Sequence, residues 1–179
     1  MILEEKIVGV EDIYDGAIFK IKKYKVTLPD GKIAYRDELE HNGGACVLAY
    51  HEGLVYLVKQ FRLAKRGETI EVPAGKLEKG EDPLTCAYRE IEEETGLIAK
   101  DLKKILVVTP SPGYTNEDIH IYFATDLVKS EQKLDEDEFI NVLKLTPKEC
   151  FDLVDEGKIT DSKTLVALLW FKNYLSDKR

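Results

Sequence analysis

At 179 residues the chain is long enough for one well-buried domain, and two full domains would be cramped. Its net charge of -8, from 26 basic and 34 acidic residues, argues against a nucleic-acid backbone as partner; an anionic small molecule must be held by local groups rather than by the overall field. No signal pattern opens the sequence and even VALLWF (166–171) is too short for a membrane span, which predicts a soluble cytoplasmic protein without membrane contact.

Segments 4–14, 17–28 and 33–40 are rich in Ile, Val, Tyr and Phe and predict strands, with Pro29-Asp30-Gly31 as the turn between the second and third. They make an N-terminal β unit, residues 1–40, ahead of a second domain, residues 41–179. GGACVLAY (43–50) and LVYLVKQF (54–61) predict a second hairpin around His51-Glu52-Gly53, and Thr69 to Val72 leads into a loop. Asp82 as N-cap, Pro83 at the first helical position and Gly96 past the end predict a helix over about 83–95. Strands follow at 104–109, 119–126 and 139–145, then helices from Pro147 to about Glu156 and from Asp161, an N-cap, to about Leu175, with Leu165, Leu168 and Leu169 at helical spacing. Strands on both sides of helices, without regular βαβ repeats, indicate an α+β fold or an α/β/α sandwich. Cys46, Cys86 and Cys150 are an odd count without CxxC spacing and read as buried thiols in a reducing compartment; His41, His51 and His120 read as structural.

The segment GKLEKGEDPLTCAYREIEEETGL (75–97) carries the chemistry. On its helix Glu90, Glu93 and Glu94 fall within one arc beside an apolar stripe of Leu84, Ala87, Tyr88 and Ile91. Carboxylates this close disfavour joint ionisation unless a cation neutralises them, and hard oxygen donors suit Mg²⁺ or Mn²⁺. Arg89, one turn before Glu93, can pair with it and hold its rotamer. An isolated glutamate run is most often a solvated face. Here Val72-Pro73-Ala74 and the glycines at 75 and 80 deliver a strand through a tight loop to the helix, a cradle for a phosphorylated ligand.

Gly75, Glu81, Arg89-Glu90, Glu93-Glu94 and Gly96-Leu97 fill every position of the pattern that defines the Nudix hydrolase superfamily, and the chain resembles that family. The resemblance implies Glu90 and Glu94 as the main Mg²⁺ ligands (Mn²⁺ as a substitute), Glu93 as a further ligand counted also among the catalytic residues, and the Ala74 carbonyl as a backbone ligand. IEVPAGK (70–76) followed by SPGYTNEDIHIYFATDL (111–127) is similar to the ADP-ribose pyrophosphatase branch, over nearly the whole chain. That branch implies an α/β/α sandwich with an additional N-terminal antiparallel sheet exchanged in a homodimer, and hydrolysis of ADP-ribose to AMP and ribose 5-phosphate. It also implies Arg36 and Arg62 as substrate contacts and Glu71 as a support for metal or water; an exposed strand arginine and a structural ion-pair partner are the plain alternatives. In the acidic turn LDEDEFINV (134–142) a loop glutamate would act on the attacking water, with Glu136 and Glu138 both candidates. Two other functions fit the box: hydrolysis of another nucleoside diphosphate sugar, such as a GDP-sugar, and non-catalytic sensing of ADP-ribose. The second usually brings a damaged box or an appended DNA-binding module, neither visible here.

Overall fold

The computed structural model describes residues 3–177. They divide into two compact units: the chain up to Gly43 with Thr109–Asp118, and Gly44–Val108 with the chain from Ile119 onward.

In the first unit, β1 (Lys6–Asp15), β2 (Lys20–Thr27) and β3 (Ile33–Glu40) form a three-stranded antiparallel sheet in that order. The turn falls where Pro29-Asp30-Gly31 predicts it: the Gly31 N–H donates to the Leu28 carbonyl at 2.9 Å, and Gly31 sits at φ 87°, which glycine adopts without strain. The segment Thr109–Asp118, which contains the SPG turn, folds with this sheet rather than with the box. The Leu39 N–H donates to the Tyr114 carbonyl at 2.7 Å, and the His41 N–H to Asn116 Oδ1 at 2.8 Å. Val26 is buried, but Val8, Val10, Ile33 and Tyr35 are exposed, so the unit gains little from burying its own apolar surface.

The second unit is built on β4 (Gly44–His51), which runs parallel to β10 (Ile119–Ala124) and antiparallel to β5 (Leu54–Arg62). With β9 (Lys103–Val108) and β12 (Ile140–Leu145) the sheet order is β12-β5-β4-β10-β9. Gly44 to Ala49 are all buried, as expected of a strand covered on both faces, which is why it reads as a continuous apolar run. Its side chains alternate between two layers. Ala45, Val47 and Ala49 pack with Cys86, Ala87 and Ile91 of α1 (Pro83–Thr95), whereas Cys46 and Leu48 pack with Cys150 of α2 (Pro147–Asp155) and Ala167, Leu168 and Phe171 of α3 (Ser162–Ser176). The result is the α+β fold, an α/β/α sandwich, preceded in sequence by an antiparallel sheet.

The sheet forks, and the fork places the site. β5 pairs with β4 only over Leu54–Tyr56; from Val58 to Arg62 it pairs with β6 (Gly67–Glu71), while β4 takes β7 (Ala74–Lys76) opposite Gly44–Cys46. The chain changes partner at Pro73, which has no N–H to give to a ladder and whose carbonyl accepts from the Val47 N–H at 2.9 Å.

Several local expectations need correction. β7 and the small pair β8 (Leu97–Ala99) and β11 (Leu127–Lys129) were not predicted, because three residues are too few to show a period. Leu84 is 38% exposed and Cys86 takes its place in the stripe; Leu169 is 55% exposed while Thr164 and Ala167 turn inward. Both leucines lie at the margin of an apolar arc, where spacing alone cannot decide the facing.

Candidate active site

Asp82 starts α1 by accepting from the Leu84 and Thr85 N–H groups at 2.9 and 3.3 Å, and Pro83 fills the first position, where no N–H is needed. At the far end Gly96 turns left-handed at φ 65° and returns its N–H to the Glu92 carbonyl at 2.9 Å. Bounded this way, the helix lays Glu90 and Glu94 one turn apart at the edge of its buried face. They are not the exposed row that the arc suggests: Glu90 is 8% and Glu94 3% exposed. β7 accounts for this. The Ala74 N–H donates to Glu94 Oε2 at 2.9 Å, and the Glu90 carboxylate fills the space of a missing side chain at Gly75, where a Cβ would stand 1.7 Å from Oε1.

Burial pushes the Glu94 carboxyl up to about 8, the Ala74 N–H opposing this and the charges of Glu90 and Glu138 adding to it. Glu90 is also raised, first by burial and then by Glu93 and Glu138, against the pull of Arg89. Of the two loop candidates, Glu138 is the one whose charge adds to the rise of both carboxyls; Glu136 and Glu138 are both exposed.

Arg89 Nη1 donates to Glu90 at 2.6 Å and to Glu93 at 3.0 Å, as the one-turn spacing predicts for Glu93. Its other nitrogens reach Glu81 at 3.2 Å, and Glu81 also accepts the Glu78 N–H at 2.9 Å, closing the loop before the helix. Sequence reasoning left Glu81 without a role, since this pairing bridges loop and helix. Among the described residues no three acidic, histidine or cysteine side chains converge as a ready-made cation cluster, because Arg89 draws Glu90 and Glu93 to itself. The donor set nevertheless fits a hard divalent ion: these are oxygen ligands whose burial and mutual repulsion a cation would relieve. Glu90, Glu93, Glu94 and the Ala74 peptide beside them are the groups able to hold it. Gly75→Ala should fold yet push Glu90 aside and lower Mn²⁺ affinity at least about tenfold by calorimetry, in the range seen when groups that orient ligands are disturbed.

Next to this pair lies a buried ionic cluster. Glu71, 3% exposed, accepts from Arg62 Nε and Nη2 at 2.9 and 2.8 Å, from Thr69 Oγ1 at 2.6 Å and from Lys163 Nζ at 2.7 Å. Burial alone would raise its carboxyl, but Arg62, Lys163 and Thr69 together hold it down at about 2. Lys163 also donates to Asp161 at 3.0 Å, and Asp161 caps α3 through the Thr164 N–H at 3.0 Å. Thr164 Oγ1 in turn accepts the Val72 N–H at 2.9 Å, so α3 is tied to the chain entering β7. Lys163 escaped sequence analysis because its partner is 92 residues away. Arg62 keeps a partly exposed guanidinium within the field of Glu94.

Arg36 belongs to the first unit. Its guanidinium pairs with Glu5 and donates to the Tyr35 carbonyl, beside a groove of about 510 Å³ lined by Tyr24, Asp37 and residues Pro112 to Tyr114. The three cysteines are buried and unpaired, and burial pushes each thiol up to about 12, which makes them inert.

The NUDIX domain model matches residues 40–168. The chain belongs to the NUDIX family. Among relatives of this NUDIX chain, an ADP-ribose pyrophosphatase of Bacillus subtilis (strain 168) is 42% identical over 173 residues, 95% of this chain and 94% of that protein. A methanol dehydrogenase activator of Bacillus methanolicus is 38% identical over 174 residues, 96% and 94% of the two chains. The crystal structure of an ADP compounds hydrolase superposes with a TM-score of 0.87 over 99% of this chain and 97% of that one; at 18% identity the likeness establishes the fold.

Proposed function

We propose that this chain hydrolyses the diphosphate of ADP-ribose with Mg²⁺, or Mn²⁺ in its place, to AMP and ribose 5-phosphate, as a cytoplasmic homodimer. The observation that carries the reading is the buried Glu90–Glu94 pair on α1 beside the Arg62–Glu71 clamp. The name of the Bacillus subtilis relative supports the choice of substrate. When bound, the cation supplies Lewis-acid polarisation of the diphosphate. Glu90, Glu93 and Glu94 hold the negative charge that retains it. Arg62, its fork fixed by Glu71, offers its remaining N–H groups to phosphate oxygens and orients them. Glu138 takes the proton of the attacking water as the water oxygen bonds to phosphorus and the bridging P–O bond breaks, leaving two monophosphates. Catalysis is assigned to residues 41–179. Residues 1–40 are assigned to dimer contact, through the exposed apolar side chains of β1 and β3, and to substrate contact through Arg36.

Product analysis tests the reading. Purified protein with Mg²⁺ and a panel of ADP-ribose, GDP-sugars and dinucleoside polyphosphates should release AMP and ribose 5-phosphate from ADP-ribose fastest. Faster turnover of a GDP-sugar would reassign the substrate, and a monomer by light scattering would remove the dimer.

A further inference from the structure

A helix ends with backbone carbonyls that have no donor of their own. At the end of α1 three such oxygens are taken by the chain running from β11 toward β12. The Lys133 N–H donates to the Glu93 carbonyl at 2.9 Å, Gln132 Nε2 to the Glu94 carbonyl at 2.6 Å, and the Ser130 N–H to the Gly96 carbonyl at 2.7 Å. Ser130 Oγ and Lys133 Nζ also reach Glu92 Oε1, at 3.1 and 2.9 Å. The fit is close: a Cβ at Gly96 would meet Gln132 N and Ser130 O at 3.0 Å. On the other side, Ile140 enters β12 opposite Gln60. Leu134 to Phe139, the arc that carries Glu136 and Glu138, lies between these anchors and is closed by the Glu138 N–H donating to the Asp135 carbonyl at 3.1 Å.

We propose that Gln132 is a positioning residue: by tying the stem of the acidic loop to the Glu94 carbonyl, it holds Glu138 at the carboxylates of the box. The inference rests on the reading of Glu138 as the group that accepts the water proton. Glu94 makes the link direct, since its carboxylate is bonded to β7 while its carbonyl is bonded to the loop stem. Of the anchoring side chains, Gln132 is the decisive one. The Lys133–Glu92 ion pair is solvent-exposed and worth little, and the Ser130 and Lys133 main-chain bonds do not depend on their side chains.

Gln132 is exposed, so Gln132→Met, which keeps the chain length and removes the donor, should fold. With ADP-ribose and saturating Mg²⁺, kcat should fall about tenfold, a cost typical of a displaced reacting group. KM and Mn²⁺ affinity should stay within about twofold of wild type. In a Glu138→Gln background the same change should cost less than about twofold, because no proton acceptor is left to position. An equal loss in both backgrounds would mark a purely structural role and overturn the inference, as would wild-type kcat in Gln132→Met beside a crippled Glu138→Gln. Wild-type kcat in Glu138→Gln alone would instead remove the proton acceptor, and the positioning role with it.

Discussion

Glu94→Gln should lose at least about two orders of magnitude in cation-dependent kcat, the scale on which removing a key electrostatic group slows an enzyme. The amide has nearly the same shape, and its oxygen can still accept the Ala74 N–H that Glu94 Oε2 now receives. The charge, not the packing, is what the substitution deletes. Because burial already disfavours the ionised carboxylate, neutral Gln should not lower the melting temperature of the protein stripped of divalent ions. The rise in melting temperature on adding Mg²⁺ should shrink, since a ligand that binds only the folded state stabilises in proportion to its affinity. Measuring kcat at saturating Mg²⁺ and melting with and without Mg²⁺ separates the cases. Near wild-type turnover would take Glu94 out of the site, and a variant that melts early without Mg²⁺ would make its role structural.

Much of this site is legible in the sequence because its causes are local. Asp82, Pro83 and Gly96 bound α1 by capping rules that act within one turn, and the Arg89–Glu93 pair follows from helical spacing. The hairpin at Glu52-Gly53, with φ 50° and 82°, needs nothing beyond two residues able to turn left-handed. What stays hidden depends on contacts between distant segments. Glu90 and Glu94 are inside because β7 crosses over them, and a three-residue strand leaves no periodic trace. Gly75 was readable as part of a pattern, but its reason, the Glu90 carboxylate lying on its backbone, appears only once strand and helix are in place. Lys163 and Gln132 carry no motif at all; each matters through one long-range bond. The two loop glutamates were indistinguishable in sequence; Glu138 is the one whose charge adds to the rise of the Glu90 and Glu94 carboxyls.

Glu71→Gln is expected to cost the fold as well as the reaction. It leaves Lys163, 8% exposed, with Asp161 at 3.0 Å in place of two carboxylate partners, and breaking a buried pair from one side typically costs about 3–5 kcal/mol. For a chain of this size that lowers the melting temperature by roughly 10 °C. Arg62 loses the carboxylate that fixes its fork, so kcat should fall in the protein that remains folded. Removing both partners, as Glu71→Gln with Lys163→Met, should cost less than the sum of the single changes, because both delete the same Lys163–Glu71 ion pair, while Asp161 keeps the Thr164 N–H. The same cluster sets an acid limit. Glu71 drops from its ordinary 4.5 to about 2 on folding, so the unfolded chain takes up this proton first as pH falls. Its contribution is whole above pH 4.5 and gone near pH 2. A shift of that size corresponds to about 3 kcal/mol. Urea melts of the wild type between these limits should lose stability steeply, and those of Glu71→Gln should be flatter by that amount. Equal slopes in the two proteins would show that Glu71 is not held ionised by Arg62 and Lys163, and the clamp on Arg62 would fall with it.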